Sequence, residues 1–198
     1  MATSGTTTFD LSIEEIIQEA YERCGMVTTS GHSLRSARTS LNLLFAEWAN
    51  RGIHLWKVSL HENQLVSGQA EYAVDGNVSD VLEAFVSSTG AGANTVSTQD
   101  VSLSKIDRSA YSATPNKLTQ GTPSQYYVER KLNPSVFLYA TPSSSVSNTT
   151  TPSSFQFCFY YLSKIQDVGD YNNTSDVVNR FYPCMMSGLA YYLSLKYS

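Results

Sequence analysis

The chain reads as an α+β protein: a discontinuous helical bundle, formed by an N-terminal αα-hairpin and a C-terminal helix, with an antiparallel β domain inserted between them. Three observations predict this. Apolar residues recur at helical spacing near both ends of the chain, the rhythm changes to two-residue alternation between them, and turn residues and Ser/Thr-rich stretches break up the middle. The boundaries that follow are residues 1–53 and 176–198 for the helical domain and 54–175 for the insertion. A length of 198 residues suits one domain carrying an insertion, at roughly 100–200 residues per domain.

The first helix is marked by Ser12 as N-cap and Glu15 as its capping-box partner, with Leu11 placed to staple onto Ile16. It begins at Ile13. Ile13, Ile16, Ile17, Ala20, Tyr21 and Cys24 form one apolar face, Glu14, Glu15, Glu19, Glu22 and Arg23 lie mainly off it, and Gly25 supplies a left-handed stop. After a loop at 28–31, Ser33 is placed to cap a second helix with the stripe Leu34, Ala37, Leu41, Leu44, Phe45 and Trp48, ended by Gly52. Two such helices on a short connection make an αα-hairpin whose apolar faces need cover.

From Ile53 onward Trp56, Val58 and Leu60 alternate with Lys57, Ser59 and His61, the rhythm of a strand. Leu65-Val66 and Tyr72-Ala73-Val74 flank a turn, and Val81 to Val86 reads as a further strand. Ser87 to Thr98, uncharged and rich in Gly, Ser, Thr and Ala, reads as an exposed loop. Val101 to Ile106 alternates weakly. Gln125 to Lys131 and Val136 to Tyr139 flank Leu132-Asn133-Pro134-Ser135 as a hairpin, Thr141 to Ser154 is a second Ser/Thr/Pro loop, and Phe155 to Leu162 is a very apolar strand. Residues 132–163 carry no charge. Helical spacing returns in Phe181, Pro183, Met185, Leu189, Tyr192, Leu193 and Lys196, with Pro183 in the first turn and Gly188 and Ala190 small enough for close packing. That helix is the natural cover for the αα-hairpin. Its run ends at Lys196-Tyr197-Ser198 without a C-cap, as expected of a truncated or processed product or of a helix completed on a neighbour.

Charged residues make up 15% of the chain, against a typical value of about 25%, while 29 Ser and 18 Thr supply the polarity. Interface cores are depleted in charge, so this surface suits packing against neighbours. A net charge of -4 and a pI near 5.3, with no concentration of Lys and Arg, speak against a dedicated nucleic-acid or anionic-membrane binder. No apolar run reaches the roughly 20 residues of a membrane span, and the N-terminus lacks the segments of a signal peptide. Cys24, Cys158 and Cys184 are odd in number and far apart, and read as reduced core thiols.

No nucleophile-elbow, phosphate-loop, dinucleotide or zinc-helix spacing occurs. His54 and His61 fall on opposite faces of a predicted strand and His32 in a loop, which suits surface-polar or capping roles. Glu62, Glu71, Asp75, Asp80 and Glu83 lie near turns, where acidic residues are ordinary. The expectation is a protein without catalytic, cofactor or metal residues, hence not an enzyme. Two features point to function instead. Trp48, Arg51, Gly52 and Trp56 end a helix and turn, with the tryptophans expected to pin helix to sheet. Tyr182, Tyr191, Tyr192 and Tyr197 occupy more than one helical face, which predicts an intermolecular contact. Ser144 and Thr150, in a charge-free loop, are further candidates for neighbour contacts.

The run Phe9-Asp-Leu-Ser-Ile-Glu-Glu-Ile-Ile-Gln-Glu-Ala-Tyr-Glu-Arg-Cys-Gly25, the run from Ser36 through Phe45-Ala-Glu-Trp-Ala-Asn-Arg-Gly-Ile-His-Leu-Trp56, and the end from Arg180 to Lys196 resemble the head-to-tail connector (adaptor) proteins of short-tailed bacteriophages. The β insertion matches only in general pattern. The resemblance implies a structural virion protein at the head-tail junction, made in the host cytoplasm. Its copies would form a ring, dodecameric in such proteins, beneath the portal protein and bear the tail nozzle or tail tube, with viral DNA passing through the lumen unbound. It also implies a third helix that continues into a tail clasping the portal, which this sequence lacks. The alternative is a β-rich binding module for a surface glycan or another tail protein.

Overall fold

A computed structural model of the chain describes residues 3–6, 9–27, 31–92, 95–146 and 155–197. The fold is α+β. The chain divides into two compact units, one of residues 1–56 and 165–198 and the other of residues 57–164. The helices described are α1 (Ile13–Arg23), α2 (Gly31–Asn50), a short α3 (Arg108–Ala113) and α4 (Tyr182–Tyr197).

α1 starts where its capping box closes: Glu15 N–H donates to Ser12 Oγ at 3.3 Å and Ser12 N–H to Glu15 Oε2 at 2.8 Å. Gly25 and Gly52, each with φ near +72°, stop α1 and α2 in a conformation that side chains with a Cβ rarely adopt. α2 begins at Gly31, so Ser33 lies in its first turn and does not cap it. The Ser33 carbonyl instead accepts the Tyr21 hydroxyl at 2.9 Å, tying α2 to α1. Ile16, Ile17 and Ala20 of α1, Ala37, Leu41 and Leu44 of α2, and Met185, Leu189 and Leu193 of α4 share one buried core. α4 comes close to α2 at Gly188, where a Cβ would stand 3.0 Å from both terminal methyls of Leu44.

Residues 165–175, assigned from sequence to the β insertion, belong to the helical unit. Ile165 and Val168 are buried in its core, Val168 N–H donates to Asn42 Oδ1 at 2.8 Å, and Ile13 N–H donates to the Asn173 carbonyl at 2.9 Å. The segment satisfies helix ends and polar side chains without a period of its own, so no hydrophobic rhythm announced it.

The second unit contains β1 (Val58–Gln64), β2 (Glu71–Ala73), β3 (Val78–Gly92), β4 (Thr95–Ser102), β5 (Ser104–Ile106), β6 (Gln120–Gly121), β7 (Gln125–Glu129), β8 (Ser135–Tyr139), β9 (Thr141–Pro142) and β10 (Phe155–Ser163). One sheet has the order β1-β10-β3-β4, a second β2-β8-β7-β5, and β6 pairs with β9. Both four-stranded sheets contribute to one core, with Phe157 and Phe159 of β10 fully buried alongside Tyr126, Val136 and Leu138. The β7–β8 hairpin forms as expected, Gln125 opposite Tyr139 and Glu129 opposite Ser135.

Three expectations change. Within the span Ser87 to Thr98, read as a loop, the described residues are paired strand, with β3 and β4 in register from Ser87 opposite Asp100 to Gly92 opposite Thr95. The insertion is not wholly antiparallel, since β5 runs parallel to β7 and β6 to β9. β1 also turns the other way: Val58 and Leu60 are exposed, because pairing with β10 places His61 opposite Phe159 and Asn63 opposite Phe157, on the core side. β10 is apolar on both faces, and its inward Phe pair dictates which face of β1 goes with it.

Candidate interaction site

Among the described residues no group of three or more His, Cys, Asp or Glu is placed to hold a metal ion. His61 lies in a strand, as expected, whereas His54 and His32 fall in other elements than those expected from sequence. His54 precedes a 3-10 turn at Leu55–Lys57 instead of lying in a strand, is 1% exposed, and has no hydrogen-bond partner at either ring nitrogen. His61 Nε2 lies 3.2 Å from Asn63 Oδ1 beside the Phe159 ring, and His32 falls in the first turn of α2. The thiols divide three ways. Cys24 Sγ donates to the Ala190 carbonyl at 3.2 Å, Cys158 is buried with its thiol pushed up to about 11 by desolvation and then by Glu62 and Asp100, and Cys184 is exposed, contrary to a core role.

The Trp48-Arg51-Gly52-Trp56 segment makes its ring contacts within the helical unit. Both tryptophans bracket Phe181, Trp56 at 4.7 Å and Trp48 at 6.2 Å between ring centroids. Trp56 Nε1 donates to the Asp176 carbonyl at 3.2 Å. The segment thus locks the end of α2 to the approach into α4, a contact between residues 120 or more apart in sequence that spacing alone could not show. Arg51 pairs with Glu47, whose other carboxylate oxygen accepts the Tyr192 hydroxyl at 2.7 Å. That bond favours the protonated phenol and raises the Tyr192 pKa.

The four tyrosines separate by face. Tyr182 is buried, its ring edge-on to Phe9, and is therefore core and not contact surface. Its position at the start of α4, beneath the segment entering α1, explains the difference. Tyr192 is half-buried against α2. Tyr197 is 46% exposed with its hydroxyl 3.5 Å from that of Tyr21, and Tyr191 is 64% exposed. Leu195, one turn beyond Tyr191 on α4, is also exposed, as is Leu43, one turn before Glu47 on α2. Tyr191 and Leu195 on α4 and Leu43 on α2 are thus large apolar residues that these helices leave exposed, and the tyrosine pattern alone does not signal the leucines.

The β unit holds a feature that composition concealed. Lys105, Arg108, Arg130 and Lys131 line one groove of about 720 Å³ where β5 and β7 diverge, together with Ile106 and Val128. Asp80 pairs with Arg130 at 2.8 Å and with Lys105 at 3.4 Å, and Glu129 with Lys131 at 2.7 Å, while Arg108 makes no ion pair with the described residues. The sequence reading found no concentration of cations. The signal lay in residues 105–131, where Lys105, Arg108, Lys117, Arg130 and Lys131 face only Asp107 and Glu129 in an otherwise acidic chain.

Ser144 is exposed in a 3-10 turn at Ser144–Val146, and Thr150 lies outside the described residues. Among the described residues no helix is long and apolar enough to cross a membrane. No protein-family model matches the chain, and no curated protein matches it.

Proposed function

We propose that the protein is a structural virion component, a head-to-tail connector whose copies form a dodecameric ring joining the portal protein to the tail nozzle or tail tube of a short-tailed bacteriophage. Residues 9–25, 36–56 and 180–196 supply the likeness to that family. The observation that carries the reading is the exposed apolar side chains of the helical unit: Leu43, Tyr191 and Leu195 are 54%, 64% and 61% exposed on helices that already bury another face in the core. Keeping such surface in water costs about 25 cal/mol per Å², and a repeating neighbour removes the cost. The work needs no catalytic group, cofactor or metal. An acidic balance also suits a lumen through which DNA must slide, because each added phosphate contact would hold it back.

The alternative, a β-rich module for a surface glycan or another tail protein, has less support. On the outer side of the second sheet Tyr111 stacks on Tyr127 at 5.2 Å, Phe137 lies against both, and Lys117 Nζ sits over Tyr111, so these rings are engaged with one another. The test is the double substitution Tyr191→Ser with Leu195→Ser. Both residues are exposed, so folding stability should change by less than about 0.5 kcal/mol each. Incorporation into tailed particles, measured as copies per particle with tails counted by electron microscopy, should collapse. Normal incorporation with full infectivity would remove this surface from portal or ring contacts and withdraw the observation on which the reading rests.

A further inference from the structure

A closed ring of identical copies requires a heterologous contact, in which one patch of each copy fits a different patch of the next. Two surfaces of this chain are complementary in that sense. The lead into α1 and its outer side carry Asp10, Glu14, Glu15, Glu19 and Glu22 before the first cation, Arg23. Glu15, Glu19 and Glu22 border a single hollow of about 440 Å³ together with Phe9, whose ring is 63% exposed. A carboxylate row beside an exposed aromatic ring is a surface of negative sign with an apolar anchor. The β5–β7 groove has the opposite sign: it is lined by apolar Ile106 and Val128 and by four cations, of which Arg108 forms no ion pair with the described residues. Its two carboxylates are engaged, Glu129 with Lys131 and Asp107 as N-cap of α3, accepting the Ala110 N–H at 2.7 Å.

We propose that the acidic side of α1, with Phe9 as its anchor, docks in the cationic β5–β7 groove of the next copy, and that this pair is the subunit contact of the ring. The proposal rests on the connector reading and names the partner of two surfaces that the reading leaves free. Burial of Phe9 supplies apolar contact, and the charges set orientation and steer the encounter. Neither surface fits itself, since like charges would meet, so the contact joins two different patches, as the heterologous interface of a ring requires.

Charge exchange tests it. One variant carries Glu19→Lys and Glu22→Lys, the other Arg108→Glu and Lys131→Glu, each checked for folding by circular dichroism. In sedimentation velocity the unmodified chain should self-associate at low ionic strength and weaken near 1 M salt, where the Debye length falls to about 3 Å. Each variant alone should associate at least about tenfold more weakly. An equimolar mixture should recover, because every reversed α1 then finds a reversed groove. An unmodified chain that stays monomeric at low salt, variants that associate as well as it does, or a mixture no better than its components overturns the contact. Particle assays keep the two readings apart: charge variants that enter tailed particles normally refute this contact and leave the connector standing. Absence of the unmodified chain from tailed particles refutes the connector, whatever the sedimentation shows.

Discussion

At the scale of the residue, His54 is the side chain with the clearest consequence. It is buried with both ring nitrogens unpartnered, and desolvation holds its pKa below the ordinary 6.5, so the folded protein keeps it neutral. A histidine whose folded pKa is depressed leaves stability intact above the unfolded pKa. Stability is then lost as pH falls from about 6.5 toward the folded value, because only the unfolded chain takes up the proton. The melting temperature should therefore be flat between pH 8 and 7 and fall as the pH drops below about 6.5. His54→Met, similar in volume and free of unsatisfied polar atoms, should flatten that fall without loss of stability at pH 7. An unchanged slope in the variant would assign the pH dependence elsewhere. His54 also marks a limit of sequence reading. Alternation with Trp56 and Val58 suggested a strand, and nothing local reveals that the turn at Leu55–Lys57 drives the imidazole inward. Tyr182 and Cys184, adjacent but for Pro183, went the opposite ways for the same reason: the face of α4 that meets α1 is fixed by packing partners more than 150 residues away.

Among the elements, the α2–α4 crossing is the joint on which the helical unit depends, and it is set by Gly188 against Leu44. Gly188→Ala gains about 1 kcal/mol of helix propensity. It also drives a Cβ to 3.0 Å from two buried methyls, and overpacking costs typically about 1–3 kcal/mol. The second effect wins, so the variant should be less stable in urea unfolding by on the order of 1 kcal/mol. Leu44→Ala alone should cost about 2–5 kcal/mol. Combined, the two should cost less than their sum by at least about 0.5 kcal/mol, since each relieves the other; strict additivity would show that the helices do not meet there. This joint was legible because both partners obey a helical period and Gly188 is a small residue within an apolar stripe. The β3–β4 hairpin was not. Its Ser, Thr, Gly and Ala residues carry no alternating apolar signal, and their strand state comes from the backbone ladder with the opposite strand, which is invisible in a window along the chain. β10 and the β7–β8 hairpin were legible for the converse reason, a dense apolar run in one and a turn between two apolar runs in the other.

For the whole molecule, the decisive property is where charge is missing. Residues 132–163 carry none, and they span β8, β9, the turn at Ser144–Val146 and the central strand β10. Burial explains the absence in β8 and β10, whose inward side chains form the core of the second unit. It does not explain the absence at Ser144, which is exposed. A charge brought into a contact must be desolvated, at a cost of several kcal/mol unless a partner of opposite sign awaits it, and a chain that repeats one contact around a ring meets that cost at every joint. Ser144→Lys and Ser144→Glu should accordingly leave the melting temperature within a few degrees of the unmodified chain while lowering incorporation into tailed particles. The same pair of substitutions at Thr150 extends the test along the loop. Loss with both signs identifies desolvation as the cause, whereas loss with one sign alone identifies a charged neighbour facing the loop. Normal incorporation of all four variants would take the loop out of the ring contact and leave the α1 face and the β5–β7 groove to carry it.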